Sequence, residues 1–265
     1  MHEKLPFPAK AVKNPSMLRK MVDYMDAYLR MGEIKDYPTA FNGLQVENSG
    51  RVKRIVAAVD ACEATIQLAL EAKADLLIVH HGLFWSGAQP VTGAHYRKLK
   101  AAMDADLAIY SAHLPLDSHP RIGNNALLAK AISLRNTKPF FETFGSPLGL
   151  KAEVKIDRSA LHERICAAVS GPVHLCPGGP EKVRSVGIVT GGAGGEVARA
   201  AAEGIDTFIT GEGPHWSYTL AEELGVNIFY AGHYATETFG VKALAALLAK
   251  KFNLPWEFLD HPTGL

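Results

Sequence analysis

The chain has 265 residues, of which 48% are hydrophobic and 21% charged, and its formal net charge is +1. These values are typical of a globular protein with one large or two small domains. They exclude a general electrostatic attraction for nucleic acid or a membrane surface, and no apolar run approaches the length of a membrane span. Residues 1–13 lack the apolar core of a signal peptide, so we expect a cytoplasmic protein with no membrane partner.

The three cysteines are Cys62, Cys166 and Cys176. Their number is odd and no Cys-x-x-Cys pair is present, which disfavours a disulfide framework and a thiolate zinc site. We expect a reducing compartment, with each thiol acting as a small apolar side chain.

The first half of the chain predicts a βαβ unit. A helix is expected from Ser16 to about Met31, and residues 37–46 are expected to form a loop because they contain Pro38 and an Asn-Gly pair. A strand, a helix and a second strand then follow, with the strands parallel and the crossover right-handed. These three elements are predicted over 54–60, 63–73 and 75–79, and are followed by a helix over 95–103, a strand over 107–112 and a helix over 124–133.

Two adjacent histidines stand where the second strand of this unit should end. Residues 76–79 are apolar and partly β-branched, which is typical of a buried strand, and His80 and His81 come next. Successive side chains of a strand point to opposite faces, so the pair cannot easily bind one tetrahedral ion. It can bind two ions, or one ion and a substrate. The alternative is a structural pair, with one ring capping a loop and the other exposed.

The second half repeats part of the first. Residues 55–85 align without a gap on residues 186–216, and residues 110–113 resemble residues 230–233. A carboxylate lies four residues after each of the two histidines in the shorter match. We interpret this as a duplication with a pseudo-twofold axis, although chance similarity is the alternative. Residues 136–149 are rich in Pro, Gly and Phe and are predicted to mark the boundary between the repeats, which are expected over 1–135 and 136–265. The other elements predicted for the second repeat are a strand over 151–156, helices over 159–169 and 241–251, and a turn over 177–180.

Polar side chains collect at the predicted carboxyl ends of the strands, where open α/β sheets bind ligands. Imidazole and carboxylate suit zinc, iron, manganese or nickel. Three imidazoles and two carboxylates are too many for one tetrahedral zinc but suit two ions that share a bridging carboxylate. A single His-x-x-x-carboxylate pattern would more simply be a pair on one helix face, and its recurrence is what favours ligation. The collected residues are His80, His81, His113, Asp117, Glu212, His215, His233 and Glu237.

A glycine-rich segment, residues 191–195, follows a predicted strand and precedes a predicted helix, as a phosphate-binding loop would. It lacks the Lys-Ser/Thr pair of a P-loop and the spacing of a dinucleotide motif. Flexible turn glycines are therefore the favoured interpretation.

Six stretches of the chain, taken in order, carry a resemblance: residues 42–46, 78–82, 113–117, 206–212, 232–237 and 258–264. Together they resemble one known family, the Nif-three-like dinuclear metal centre proteins, which are named GTP cyclohydrolase I type 2 homologues. The resemblance covers nearly the whole chain. It implies an α/β fold of two intertwined, pseudo-twofold related repeats with mixed sheets, in which the last helix can pack on the first half. It also implies a toroidal homohexamer whose metal sites face an inner cavity.

The resemblance also assigns roles to the candidate residues. It implies that Glu237 bridges the two ions, and that His113 and Glu212 are candidates for substrate contact or proton transfer and hence for catalysis. The metal ligands that it implies are His80, His81, Asp117, His233 and Glu237.

The expected function is therefore that of a dinuclear metal-dependent hydrolase with two divalent ions per subunit. Its substrate is expected to be a small molecule, a nucleotide or related heterocycle, whose ring is opened with release of formate. Two alternatives remain open: a metal-binding scaffold or metal-handling hexamer without catalysis, and a two-metal phosphoesterase.

Overall fold

The computed structural model describes residues 14–85, 87 and 89–265. Residues 1–13, for which the sequence predicts no signal peptide, lie outside the described residues. No helix in the described part of the chain is long and apolar enough to cross a membrane. The first half contains α1 (Met17–Leu29), β1 (Gly43–Val46), β2 (Ile55–Asp60), α2 (Glu63–Glu71), β3 (Leu76–His81), α3 (Gly93–Asp104), β4 (Ala108–Ser111), α4 (Leu114–Asp117) and α5 (Asn124–Ala131).

The second half begins with a long hairpin and ends with a long helix and a short strand. Its elements are β5 (Lys138–Thr143), β6 (Ser146–Asp157), α6 (Arg158–Val169), β7 (His174–Pro177), β8 (Lys182–Ile188), a 3₁₀ turn (Ala193–Glu196), α7 (Val197–Ala202), β9 (Thr207–Thr210), α8 (Trp216–Leu224), β10 (Asn227–Tyr230), α9 (His233–Phe252) and β11 (Trp256–Phe258).

These strands form two mixed sheets, as predicted. The first sheet has the order β1-β4-β3-β2-β11 and the second the order β5-β6-β8-β9-β10-β7. Each contains three parallel central strands, β2-β3-β4 and β8-β9-β10. In each sheet an antiparallel strand borders the third of these, β1 beside β4 and β7 beside β10. The mixed α/β fold is confirmed.

Strand register supports the repeat and corrects one detail of it. Ile55 pairs with Leu76, and Val186 pairs with Thr207, as the gapless alignment requires. On the third strand, however, Ala112 N–H donates to the Val79 carbonyl, whereas Ala231 N–H donates to that of Thr210. The structural equivalent of His113 is therefore Gly232, one residue before His233. The two His-x-x-x-carboxylate patterns do not occupy equivalent positions.

The two halves exchange their last helices. In α9, Leu244 and Leu248 are buried against α1 and the first sheet, in a cluster that contains Met21. Strand β11 also joins that sheet, parallel to β2. In the other direction, Leu128 of α5 is buried against the second sheet. The repeats are thus intertwined, and we propose that they divide between residues 135 and 136, just before β5.

Three segments differ from the prediction. Residues 43–46 form strand β1 instead of a loop, because they pair with β4. The predicted junction over 136–149 is largely a hairpin, whose turn residues Phe144 and Gly145 both have positive φ, at 51° and 82°. Helix α9 begins at His233 instead of at residue 241, immediately after Gly232 at φ 88°. The last difference matters most, because it places His233 and Glu237 one helical turn apart.

The three cysteines are free, and only Cys176 is fully buried. Cys62 is more than an apolar side chain, since its sulfur accepts a hydrogen bond from Thr65 N–H and caps α2.

Candidate metal centre

His80 is fully buried at the end of β3 and its ring orientation is fixed. Nδ1 lies 2.9 Å from the carbonyl of Ala112, which can only accept a hydrogen bond, so Nδ1 carries the proton. Nε2 lies 3.3 Å from Asp117 Oδ2 and 3.5 Å from Glu237 Oε1. His80 is therefore oriented as metal-ligating histidines usually are, with a backbone acceptor behind the ring and a free nitrogen in front.

His81 turns to a different carboxylate oxygen. Its Nδ1 lies 2.8 Å from Asp60 Oδ1, and its Nε2 lies 3.3 Å from Glu237 Oε2. The neighbouring histidines thus approach opposite oxygens of one carboxylate. This divergence agrees with the alternation of side chains along a strand.

Helix α9 supplies the second half's contribution. His233 Nε2 lies 3.2 Å from Glu237 Oε2, and His233 Nδ1 lies 2.8 Å from Glu212 Oε1. Glu212 therefore lies behind the His233 ring. It also lines a smaller cavity of about 210 Å³ that Asp60, His81 and His233 share.

Asp117 is held by a neighbouring amide. Its Oδ1 accepts a hydrogen bond of 2.7 Å from Asn124 Nδ2, and its Oδ2 faces His80. Asn124 Oδ1 accepts in turn from Gly240 N–H of α9, at 2.7 Å. This chain fixes the carboxylate relative to the helix that carries Glu237.

The centre of the cluster contains buried polar atoms without a hydrogen bond. Among the described residues, His80 Nε2 and Glu237 Oε2 are buried and have no hydrogen-bond partner. Leaving such groups unsatisfied costs about 1–3 kcal/mol each. Both atoms are good metal ligands, so the donor set fits a cation.

Electrostatics at the cluster favour positive charge. Burial lowers the pKa of His233, but the carboxylates of Glu237 and Glu212 outweigh burial and raise it to about 9. Burial likewise opposes ionisation of Glu237, yet the imidazoles around it, chiefly His80, lower the pKa of Glu237 well below its usual range. The cluster is built to hold protons or metal cations between its imidazoles and carboxylates.

His113 lies beside these ligands and is held separately. Its Nδ1 lies 2.9 Å from Asp36 Oδ1, and its backbone N–H donates to Asn42 Oδ1 at 2.7 Å. Its ring centroid is 4.8 Å from that of His80. Ligand nitrogens of His80, His81 and His113 lie within 4.8 Å of one another, as do donor atoms of His81, His233 and Glu237.

Most of the predicted residues come together, and one does not. His215 is exposed just before α8 and belongs to neither candidate ligand group in the described part of the chain. Sequence reasoning missed Asp36, Asp60 and Asn124, which orient His113, His81 and Asp117. The Asn42-Gly43 pair gives a turn signal and belongs to a stretch that resembles the family, but neither pattern reveals that Asn42 Oδ1 accepts a hydrogen bond from His113 N–H.

The glycine-rich loop contacts the cluster directly. Gly191 has φ +74°, and a Cβ atom there would collide with Glu237 Oε1. Glycine is thus required at this position for close approach to the carboxylate as well as for turn geometry.

A cavity of about 450 Å³ opens onto the cluster, a size suited to a small molecule. His81, Asp117, His233 and Glu237 line it together with the aromatic residues Tyr37, Trp85 and Phe141. Residues of both halves therefore form one site.

Comparison with known proteins identifies related chains. The family model Duf34/NIF3 (NGG1p interacting factor 3) matches residues 16–263. A Deinococcus radiodurans protein named GTP cyclohydrolase 1 type 2 homolog is 42% identical over 249 residues, which cover 93% of this chain and 94% of that protein. A Pyrococcus abyssi protein of the same name is 42% identical over 250 residues, covering 93% and 98%. The crystal structure of TTHA1606 from Thermus thermophilus is similar with a TM-score of 0.85 and 42% identity, covering 93% of this chain and 98% of that one.

Proposed function

Because the chain belongs to the DUF34/NIF3 family, we propose that it is a dinuclear metal-dependent hydrolase that acts on a nucleotide or related heterocycle. The specific reaction proposed is opening of the guanine imidazole ring of GTP with release of formate. The observation that carries the proposal is the pair of buried, unpartnered donors His80 Nε2 and Glu237 Oε2 beside a cavity of substrate size.

Two divalent ions would be held by two donor sets that share Glu237. His80, Asp117 and Glu237 Oε1 would hold one ion, and His81, His233 and Glu237 Oε2 the other. When bound, such ions supply Lewis acidity, which activates water near neutral pH and stabilises developing negative charge. Zinc, iron, manganese and nickel are all compatible with this donor set.

His113 is the proposed general acid or base. Asp36 holds Nδ1, which leaves Nε2 available for proton transfer in the cavity that His113 lines. For Glu212 we propose a positioning role instead of direct catalysis, because its carboxylate contacts His233 and lines the smaller cavity. In the same way Asp60 would orient His81.

We further propose that the protein assembles as a toroidal homohexamer. Large apolar side chains are exposed on the single chain, among them Phe41 at 55% and Met103 at 63%. Burial of such side chains between subunits would stabilise an assembly. Native mass spectrometry tests this, and a species of six times the 28.6 kDa chain mass is expected.

The function is tested with protein purified without a metal-affinity tag. Elemental analysis should find two divalent ions per chain, and protein loaded with each metal should release formate from GTP. A panel of other nucleotides tests the wider substrate class. Phosphate release without formate would indicate a phosphoesterase, and full metal occupancy without turnover of any nucleotide would indicate a metal-binding scaffold.

A further inference from the structure

An arginine from α7 lines the same cavity as the metal donors. The Arg199 guanidinium lies over the Phe141 ring, with Cζ 3.9 Å from the ring centroid. Its Nη2 donates to the Glu142 carbonyl at 2.7 Å. Arg199 therefore has a fixed plane and position beside the donor cluster, although its side chain is about half exposed.

The residue beneath this guanidinium has an unusual backbone. Phe141 has φ 61°, a conformation that a bulky side chain rarely adopts. The ladder between β5 and β6 pairs Phe140 with Gly149 and Glu142 with Pro147 without a change of register, and Phe141 and Leu148 between them are unpaired. The positive φ of Phe141 is thus a local irregularity within β5, and Phe140 and Phe141 are both buried in the same hydrophobic cluster. Such strain in the middle of a strand is typical of ligand-binding positions.

Arg199 retains hydrogen-bonding capacity. A guanidinium has five N–H donors. In the described part of the chain, one bonds the Glu142 carbonyl and another faces Glu196 Oε2 at 3.4 Å, which is long for a hydrogen bond. Glu196 offsets part of the positive charge, but three of the five N–H donors remain for an anion.

Two further aromatic side chains line the cavity. Tyr37 is 51% exposed, and Trp85 lies edge-on to His113 with ring centroids 4.7 Å apart. Both residues line the cavity together with Arg199. A planar ring can pack against these side chains, while an attached anionic group reaches the guanidinium.

We propose that Arg199, held on Phe141 by the β5 irregularity, binds the phosphate of the substrate. The substrate class is then a phosphorylated planar heterocycle, in preference to a free base or an uncharged nucleoside. This inference rests on the proposed function, since it assigns a specificity residue to the same cavity.

A purely structural role for Arg199, which would join α7 to the β5–β6 hairpin, predicts different behaviour. In that case substitution would lower thermal stability but would not distinguish phosphorylated from unphosphorylated ligands. Binding and stability must therefore be measured on the same variants.

The test is isothermal titration of metal-loaded protein with GMP, AMP and UMP and with the matching nucleosides. We expect at least one monophosphate to bind wild-type protein about tenfold or more tightly than its nucleoside. In Arg199→Gln that preference should fall below about threefold, with nucleoside affinity unchanged. Arg199→Lys should restore part of it, because charge returns without the planar fork. Arg19→Gln, an exposed arginine paired with Asp23 on α1, is the matched control and should change nothing.

Retention of the full preference in Arg199→Gln would overturn the inference, as would the lack of a phosphate preference in the wild-type protein. A formate assay on the same samples separates the two claims. Turnover with Arg199-independent binding would leave the proposed function intact, whereas Arg199-dependent binding without turnover would contradict only the hydrolase.

Discussion

At the scale of single residues, Glu237 connects the two donor sets. Its two oxygens face different histidines, His80 on one side and His81 with His233 on the other. We therefore expect Glu237→Ala to lose both metal ions, and His81→Ala to lose one and hold the other more loosely. Elemental analysis of untagged protein measures this.

The exposed histidine His215 provides the matched control for these variants, since His215→Ala should keep both ions. One ion per chain in the parent protein, or full retention in Glu237→Ala, would contradict the dinuclear site.

His113 has a separate predicted role in proton transfer. His113→Ala should lower kcat by about 10²–10⁴-fold, the usual contribution of general acid–base catalysis. Metal content should stay unchanged, because Asp36 and Asn42 hold His113 and no donor carboxylate does. Steady-state kinetics and elemental analysis on the same sample measure the kcat and the metal content of the variant. Loss of an ion would show instead that His113 is a ligand.

The residues at the site were predictable to different degrees. Candidate ligands such as His80 and Glu237 carry their chemistry in the side chain, so residue type and local spacing indicate them from the sequence alone. Their orienting partners do not, because Asp36 and His113 are 77 residues apart and any carboxylate could serve. Only the folded chain pairs them.

At the scale of elements, the loop after β8 brings its backbone close to the Glu237 carboxylate. Gly191→Ala should reduce metal content and lower Tm, because it combines a strained φ with a collision against Glu237. Gly204→Ala is the matched control. Its φ of +78° carries a similar cost of about 1–2 kcal/mol, but nothing lies within 4 Å of the added Cβ. Equal metal content in the two variants would contradict this account.

Helix α1 is joined to the first sheet by a hydrogen bond of 2.7 Å from the Tyr110 hydroxyl to Asp26 Oδ1. Burial raises the pKa of Asp26, despite the opposing hydrogen bond from Tyr110. The folded state thus binds this proton more tightly than the unfolded state does. Protonated Asp26 therefore stabilises the fold. This contribution is fully present below the ordinary aspartate pKa of 3.8 and is lost as the pH rises through the higher pKa that Asp26 has in the folded state.

We therefore expect Asp26→Asn to raise Tm at pH 7, by an amount that shrinks as the pH is lowered toward 4. Thermal unfolding between these pH values measures the trend. A lower Tm for Asp26→Asn than for the parent protein at pH 7 would contradict the raised pKa of Asp26 in the folded state.

Elements were predictable where their signal was local. The apolar, β-branched runs of β2 and β3 and the turn residues between them define the βαβ unit without tertiary information. The early start of α9 was missed, because residues 233–240 lack the apolar periodicity of the later turns. Strand β1 was missed because only its pairing with β4 makes it a strand.

At the scale of the whole molecule, neither half completes the packing of its own sheet. Residues 1–135 lack α9, which packs on the first sheet beside α1, and β11, which is the edge strand beside β2. We expect this fragment alone to expose that apolar surface and to show no cooperative thermal transition by circular dichroism. Co-expression with residues 136–265 should restore one. A cooperative transition in the isolated fragment would contradict the intertwined packing.

The repeat itself has an evolutionary consequence. An ancestor made of two identical copies would have presented two equal donor sets, whereas Gly211 and Glu212 now stand where the first half has His80 and His81. Return to that ancestor is blocked, since a Cβ at Gly211 would lie 2.6 Å from the Cα of His233. The helix that completes the present site occupies the space that a second site would need. The single substitution Gly211→His would therefore collide with α9 and cannot by itself create a second donor set.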